Sequence, residues 1–141
     1  MKFKREISAG GIVYKKEGKK FLWLTTKHSH YKKWSFPKGL IGDKETESKE
    51  KAALREVEEE GGIKAEIVNF EPAVATYKYQ HKDTLIDKTV YYYLMEYVSG
   101  DTKDHDWEVE DAKFVPEEEL GEMLIFESDK QAFEEIRQKV K

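Results

Sequence analysis

Residues 39–63 join a glycine-containing turn to a helical stretch that ends in Arg55-Glu56-Val57-Glu58-Glu59-Glu60-Gly61-Gly62. At 3.6 residues per turn, Glu56, Glu59 and Glu60 stand at i, i+3 and i+4 and share one face. Like charges so placed disfavour a helix by roughly 0.2–0.5 kcal/mol per pair, so the face needs a counter-charge. Hard divalent cations, held by carboxylates together with substrate phosphates, supply one. Leu54, Val57 and Gly61 fall on the side away from the acids and are expected to face a core. Ala52 and Ala53 are expected under the acidic face, leaving room for a ligand. Thr46 or Ser48 suits the N-cap, and Gly61-Gly62 suits a left-handed C-cap.

Taken alone, the acidic cluster equally suits a solvated surface helix. The surrounding pattern adds to it. From Glu47 onward, Glu47-x7-Arg55-Glu56-Val57-x-Glu59-Glu60-x-Gly62-Ile63 resembles the Nudix hydrolase signature Gly-x5-Glu-x7-Arg-Glu-U-x-Glu-Glu-x-Gly-U, with U aliphatic. Every fixed position from that glutamate onward is matched. Gly39 precedes Glu47 by eight positions where the signature has six, so the loop over 40–46 is expected to be two residues longer. Loop closure entropy grows slowly with length, and the helix tolerates the insertion.

A chain of 141 residues fits a single domain over 1–141. The absence of cysteine excludes a disulfide framework, a thiol nucleophile and a cysteine zinc site, and suits a reducing cytoplasm. No apolar run reaches membrane-spanning length, so no membrane partner is expected. The net charge of -4 disfavours a nucleic-acid binder working through a broad basic surface. Locally, however, Lys27, His28, His30, Lys32 and Lys33 crowd one loop with Tyr31 and Trp34, as a polyphosphate cradle beside an acidic site would require.

The element order is α/β. Glu6–Tyr14 and Lys20–Lys27 read as strands around the turn 16–19, followed by the acidic helix. Strands are predicted over 64–71, 73–80, 88–98 and 112–115, with 83–87 as a turn. In 88–98 both alternating sets are apolar, which predicts a strand covered on both faces. Pro116 is placed at the start of a helix, and Ser128-x-x-Gln131 resembles a capping box for a last helix over 129–140. A mixed β-sheet between helices follows, in agreement with the α/β/α Nudix sandwich that the resemblance implies.

Within the family the chain is similar to asymmetric diadenosine tetraphosphate hydrolases, on 8–13, 34–39, 88–94 and 107–112. The resemblance implies cleavage of a small-molecule nucleoside polyphosphate, giving ATP and AMP from diadenosine tetraphosphate. RNA 5′ ends, ADP-ribose, diphosphoinositol phosphates and a non-catalytic nucleotide-sensing role are the alternatives. It implies Mg2+ or Mn2+ held by Glu56, Glu59, Glu60 and the Lys38 carbonyl, with Arg55 pairing Glu47 to orient the helix. Glu108 is implied as metal ligand or general base, with Glu56 as the other candidate base. For substrate binding the candidates are Tyr77, Tyr79 and Tyr91 for a purine face, and His28, Lys32, Lys38, His81 and Lys88 for the phosphate chain.

Overall fold

The computed structural model of the chain describes residues 1–41 and 47–140. Thr46, and the extra loop length before Glu47, lie outside the described residues.

Seven strands form one mixed sheet: β1 (Lys2–Glu17), β2 (Lys20–His28), β3 (Trp34–Ser35), β4 (Lys38–Leu40), β5 (Ile63–His81), β6 (Thr84–Gly100) and β7 (Val109–Pro116). Its main path runs β3-β2-β1-β6-β5, with β4 on β1 and β7 on β2. The β1–β6 pair is parallel and the other pairs are antiparallel. Helix α1 (Lys49–Gly61) covers one face; α2 (Glu117–Met123) and α3 (Glu127–Arg137) serve the other.

Alternation along β1 and β6 creates two cores. Ile12, Tyr14, Val90, Tyr92 and Leu94 point to one, where they meet Phe133 and Ile136 of α3. Ala9, Val13, Tyr93 and Met95 point to the other, against Val57 of α1. The two-sided apolar pattern of β6 follows from this, since each face carries its own helix layer.

Several boundaries differ from the sequence expectation. The segments over 64–71 and 73–80 are one edge strand, β5, whose register shifts between Asn69 and Ala73. Pro72 sits at this irregularity, where a missing N–H is tolerated. The turn expected over 83–87 shrinks to Lys82-Asp83, because β6 starts at Thr84. The segments 34–35 and 38–40 are too short to show alternation, yet both pair as strands. Helix α3 starts at Glu127 after Phe126, with no side-chain cap. The capping-box reading fails because the Asp129 and Lys130 amides donate to the Phe126 carbonyl, which puts Ser128 inside the first turn, while Asp129 turns inward to accept hydrogen bonds from Ser35 Oγ (2.7 Å) and Tyr92 Oη (3.2 Å).

Helix α1 begins at Ser48, whose Oγ accepts from the Lys51 amide. Ala52 and Ala53 are fully buried in the core with Val57, and Leu54 is half-buried, so the alanines pack against the sheet and do not open space for a ligand. The helix ends at Gly62, at φ 77°, whose amide donates to the Glu58 carbonyl. A Cβ there would lie 2.7 Å from the Asp101 carbonyl oxygen and the His105 amide nitrogen. Gly62→Ala is therefore expected to lower stability by more than about 1 kcal/mol, through the left-handed backbone and displacement of the 101–108 loop. Urea unfolding measures it, and an unchanged midpoint would contradict the packing described.

Candidate active site

The cleft forms where β1 and β2 part. They pair only over 14–17 and 20–23; beyond this β2 turns to β3 and β7, and β1 takes β4 over 8–10. The cleft, of about 370 Å³, is lined by Ser8 of β1, Lys38 and Gly39 of β4, Glu56, Glu59 and Glu60 of α1, Lys88 of β6 and Glu108 before β7, with His28 and Tyr31 at the loop after β2.

Arg55 organises the acidic wall. Its Nε and Nη2 donate to the two Glu47 oxygens at 2.8 and 2.9 Å, and its Nη1 donates to Glu56 at 2.6 Å and Glu59 at 3.3 Å. The bidentate bond to Glu47 and the pairing with Glu56 push the guanidinium above its ordinary range.

The carboxylates are not a solvated face. Glu56 and Glu60 are buried and Glu59 is exposed. Burial raises Glu56, and neighbouring Glu59 and Glu108 add to the rise against the pull of Arg55. Burial pushes Glu60 up to about 8, opposed by the Lys38 ammonium and the Lys38 amide, which donates to Glu60 Oε1 at 3.2 Å. Gly39 is packed so tightly on the Glu56 carboxylate that a Cβ would overlap it.

Glu108 is brought to the wall by backbone bonds. The Asp106 amide donates to the Glu59 carbonyl at 2.9 Å, while the Ser29 amide and Oγ both donate to the Glu108 carbonyl at 2.9 Å. Burial, then Asp106 and Glu59, raise its carboxyl. Among the described residues no three acid or histidine side chains close into a ready-made ion cage. The donor set is nevertheless the one a hard divalent cation uses: carboxylate oxygens on an adjoining wall, two of them pushed toward protonation by burial, with the neighbouring acids adding to it.

The expected substrate groups separate. His28, Lys38 and Lys88 line the cleft. His28 stacks on Tyr31 with ring centroids 4.1 Å apart, accepts from the His30 amide at Nδ1, and is lowered by burial and by Lys38. Burial disfavours the Lys38 charge, but Tyr92, Tyr31 and Asp129 outweigh it and hold the ammonium above its usual range. Lys88 is lowered by burial and pairs with Glu6 at 3.4 Å. Tyr77 and Tyr79 are not among the residues that line the cleft; they lie on the Lys88 face of the sheet, Tyr77 beside Lys88 and Tyr79 donating to Glu6 at 2.9 Å.

Three further candidates are not brought in. Tyr91 alternates to the opposite sheet face, under the Lys49 ammonium. Lys32 is exposed and pairs with Glu110. His81 is exposed at the hairpin end of β5, beyond the residues that line the cleft. Sequence reasoning missed Ser8, Glu6 and Asp129 as cleft and support residues. For Glu6 and Ser8 the available signal was polar residues at alternate positions leading into the apolar run of β1.

A mixed sheet between helices, with a carboxylate helix facing a cleft of lysines, defines a Nudix domain. The chain belongs to the Nudix family, whose NUDIX domain profile matches residues 4–136. It is 35% identical over 101 residues to the Mycobacterium tuberculosis (strain CDC 1551 / Oshkosh) protein named for the mutator MutT4, covering 72% of this chain and 40% of that one. It is also 35% identical over 118 residues to Nudix hydrolase 6 of Arabidopsis thaliana, covering 80% and 40%. The chain thus spans about two-fifths of the length of these relatives. Among solved structures, a C. elegans Ap4A hydrolase binary complex superposes with a TM-score of 0.76 at 23% identity, covering 94% of this chain and 96% of that one. The NUDIX domain of Shewanella oneidensis NrtR complexed with ADP ribose gives 0.71 at 18%, covering 96% and 88%. At these identities the likeness concerns the fold.

The raised Glu60 carboxyl has a consequence for stability. An acid raised on folding from its ordinary 4.5 to about 8 makes folding most favourable at or below pH 4.5, and that contribution is lost as pH rises through 8. In chelator, the melting temperature is expected to fall between pH 5 and 8.5, with Glu60→Gln flattening that slope and divalent cation restoring stability at pH 8.5. A scanning-calorimetry series in which Glu60→Gln keeps the full slope would reject the assignment.

Proposed function

We propose that the chain is a divalent-metal-dependent pyrophosphohydrolase that cleaves a phosphoanhydride in a nucleoside polyphosphate, with diadenosine tetraphosphate cut to ATP and AMP as the leading reaction. One observation carries the reading: four carboxylates and two lysines line a single cleft. Family membership and the backbone likeness to the C. elegans Ap4A hydrolase support it.

Glu56, Glu59 and Glu60, with Glu108 and the Lys38 carbonyl, would hold Mg2+ or Mn2+. When bound, such an ion neutralises phosphate charge and lowers the pKa of a coordinated water. Arg55, fixed by Glu47, orients the Glu56 and Glu59 carboxylates. Glu108, raised by burial and then by its acidic neighbours, accepts a proton from the attacking water, with Glu56 as the alternative base. His28, neutral and accepting at Nδ1, carries its proton at Nε2 and donates to a phosphate oxygen. Lys38 and Lys88 offer ammonium donors to the phosphate chain, and Tyr77 and Tyr79 offer aromatic surface to a base, a stacking worth roughly 1–3 kcal/mol.

A second reading, hydrolysis of ADP-ribose, is favoured by the likeness to the NUDIX domain of NrtR, whose structure holds that ligand. Turnover with Mg2+ on diadenosine tetraphosphate, ATP, ADP-ribose, triphosphorylated RNA and a diphosphoinositol phosphate separates the readings. ATP and AMP from diadenosine tetraphosphate at the highest rate are expected; a faster release of AMP and ribose phosphate from ADP-ribose would replace the leading reaction. Glu59→Gln is expected to reduce turnover at least about 100-fold, with circular dichroism and melting temperature retained, since the side chain is exposed and outside both cores. Retained turnover would overturn the role given to the carboxylate helix.

A further inference from the structure

Ser8 is 1% exposed, borders the cleft, and its Oγ has no hydrogen-bond partner among the described residues. A buried hydroxyl without a partner is destabilising, so its retention needs a reason. Its surroundings supply one. Ser8 and Glu6 share a face of β1, and the parallel register sets Glu6 opposite Lys88 and Ser8 opposite Val90. Lys88 is itself only 7% exposed and lines the same cleft. Its ammonium carries three N–H groups, and the bond to Glu6 at 3.4 Å uses one. Lys38 is near enough to disfavour the Lys88 charge, and Lys4 pairs with the outer oxygen of Glu6 at 3.7 Å. Lys88 thus keeps N–H groups beyond its bond to Glu6 and Ser8 keeps a free hydroxyl on the same wall of the cleft, a pair of donors that an anion would take up.

We propose that Ser8 and Lys88 form an anion subsite on the strand wall of the cleft, which takes a phosphate of the substrate chain other than the one facing the carboxylate helix. The subsite rests on the polyphosphate reading above and extends it: the substrate must carry a phosphate on each wall. Glu6, fixed by the Tyr79 hydroxyl, is the counter-ion that keeps Lys88 in place while the cleft is free. The Ser8 hydroxyl donates to a non-bridging phosphate oxygen, and the lining side chains reach it by a rotamer shift.

The test uses inorganic triphosphate in chelator, where binding does not depend on metal, measured by isothermal titration calorimetry on the full chain. Ser8→Ala is expected to weaken binding about tenfold, as for a lost hydrogen bond to a charged group, and to raise the melting temperature by about 3 °C because the unpartnered hydroxyl is gone. The opposite signs mark a ligand group, since loss of a purely structural hydroxyl would not weaken binding while stabilising the fold. Lys88→Met is expected to weaken binding further. Absence of wild-type binding, Ser8→Ala binding within twofold of wild type, or a lower melting temperature for Ser8→Ala would each overturn the subsite. If the hydrolase reading alone fails, Ser8-dependent binding persists without turnover of any nucleotide; if the subsite alone fails, turnover persists while Ser8→Ala binds triphosphate normally.

Discussion

The Arg55 guanidinium is the interaction on which the acidic wall depends. It spans carboxylates from two segments, Glu47 before α1 and Glu56 and Glu59 within it, at hydrogen-bond distance. Without that charge, three glutamates on one helical face would repel one another in surroundings where burial already disfavours ionisation. The bidentate bond to Glu47 also ties the chain entering the helix to the helix itself, so orientation and charge balance come from one side chain.

The rest of the site follows from how the sheet carries this helix. Val57, Ala52 and Ala53 fasten α1 to one sheet face, which leaves Glu56 and Glu60 at the opening between β1 and β2. Gly39 lets β4 pass directly over Glu56, and the Lys38 amide caps Glu60 from the same strand. The 101–108 loop is held toward its C-terminal end, at Asp106 by the Glu59 carbonyl and at Glu108 by Ser29, so that Glu108 meets the helix without belonging to it. On the opposing strand wall, buried Lys88 lines the cleft and pairs with the partly buried Glu6 at 3.4 Å.

Much of this was legible residue by residue. The period of α1, its serine cap and its glycine stop each rest on local chemistry, and all three are present. The alternating apolar sets of 88–98 correctly indicated a strand between two layers. The capping box at Ser128 was misleading because α3 starts earlier, after Phe126, and its first turn is tied inward by the long-range bonds of Asp129 to Ser35 and Tyr92, which no local pattern records. The Ala52-Ala53 expectation failed for a similar reason: helical periodicity gives faces, but the sheet decides how wide the buried face is.

The sequence by itself determined the carboxylate helix, its charge partner Arg55 and the strand-rich frame, since these depend on spacings within a few residues. Tertiary structure alone decided which distant groups join them. Strand parity put Tyr77 and Tyr79 on the Lys88 face of the sheet and sent Tyr91 to the other face. Strand register placed Glu6 beside Lys88 across 82 positions of chain, with Ser8 next along the same face opposite Val90. Such contacts depend on the pairing of whole strands, and no short stretch of sequence contains that information.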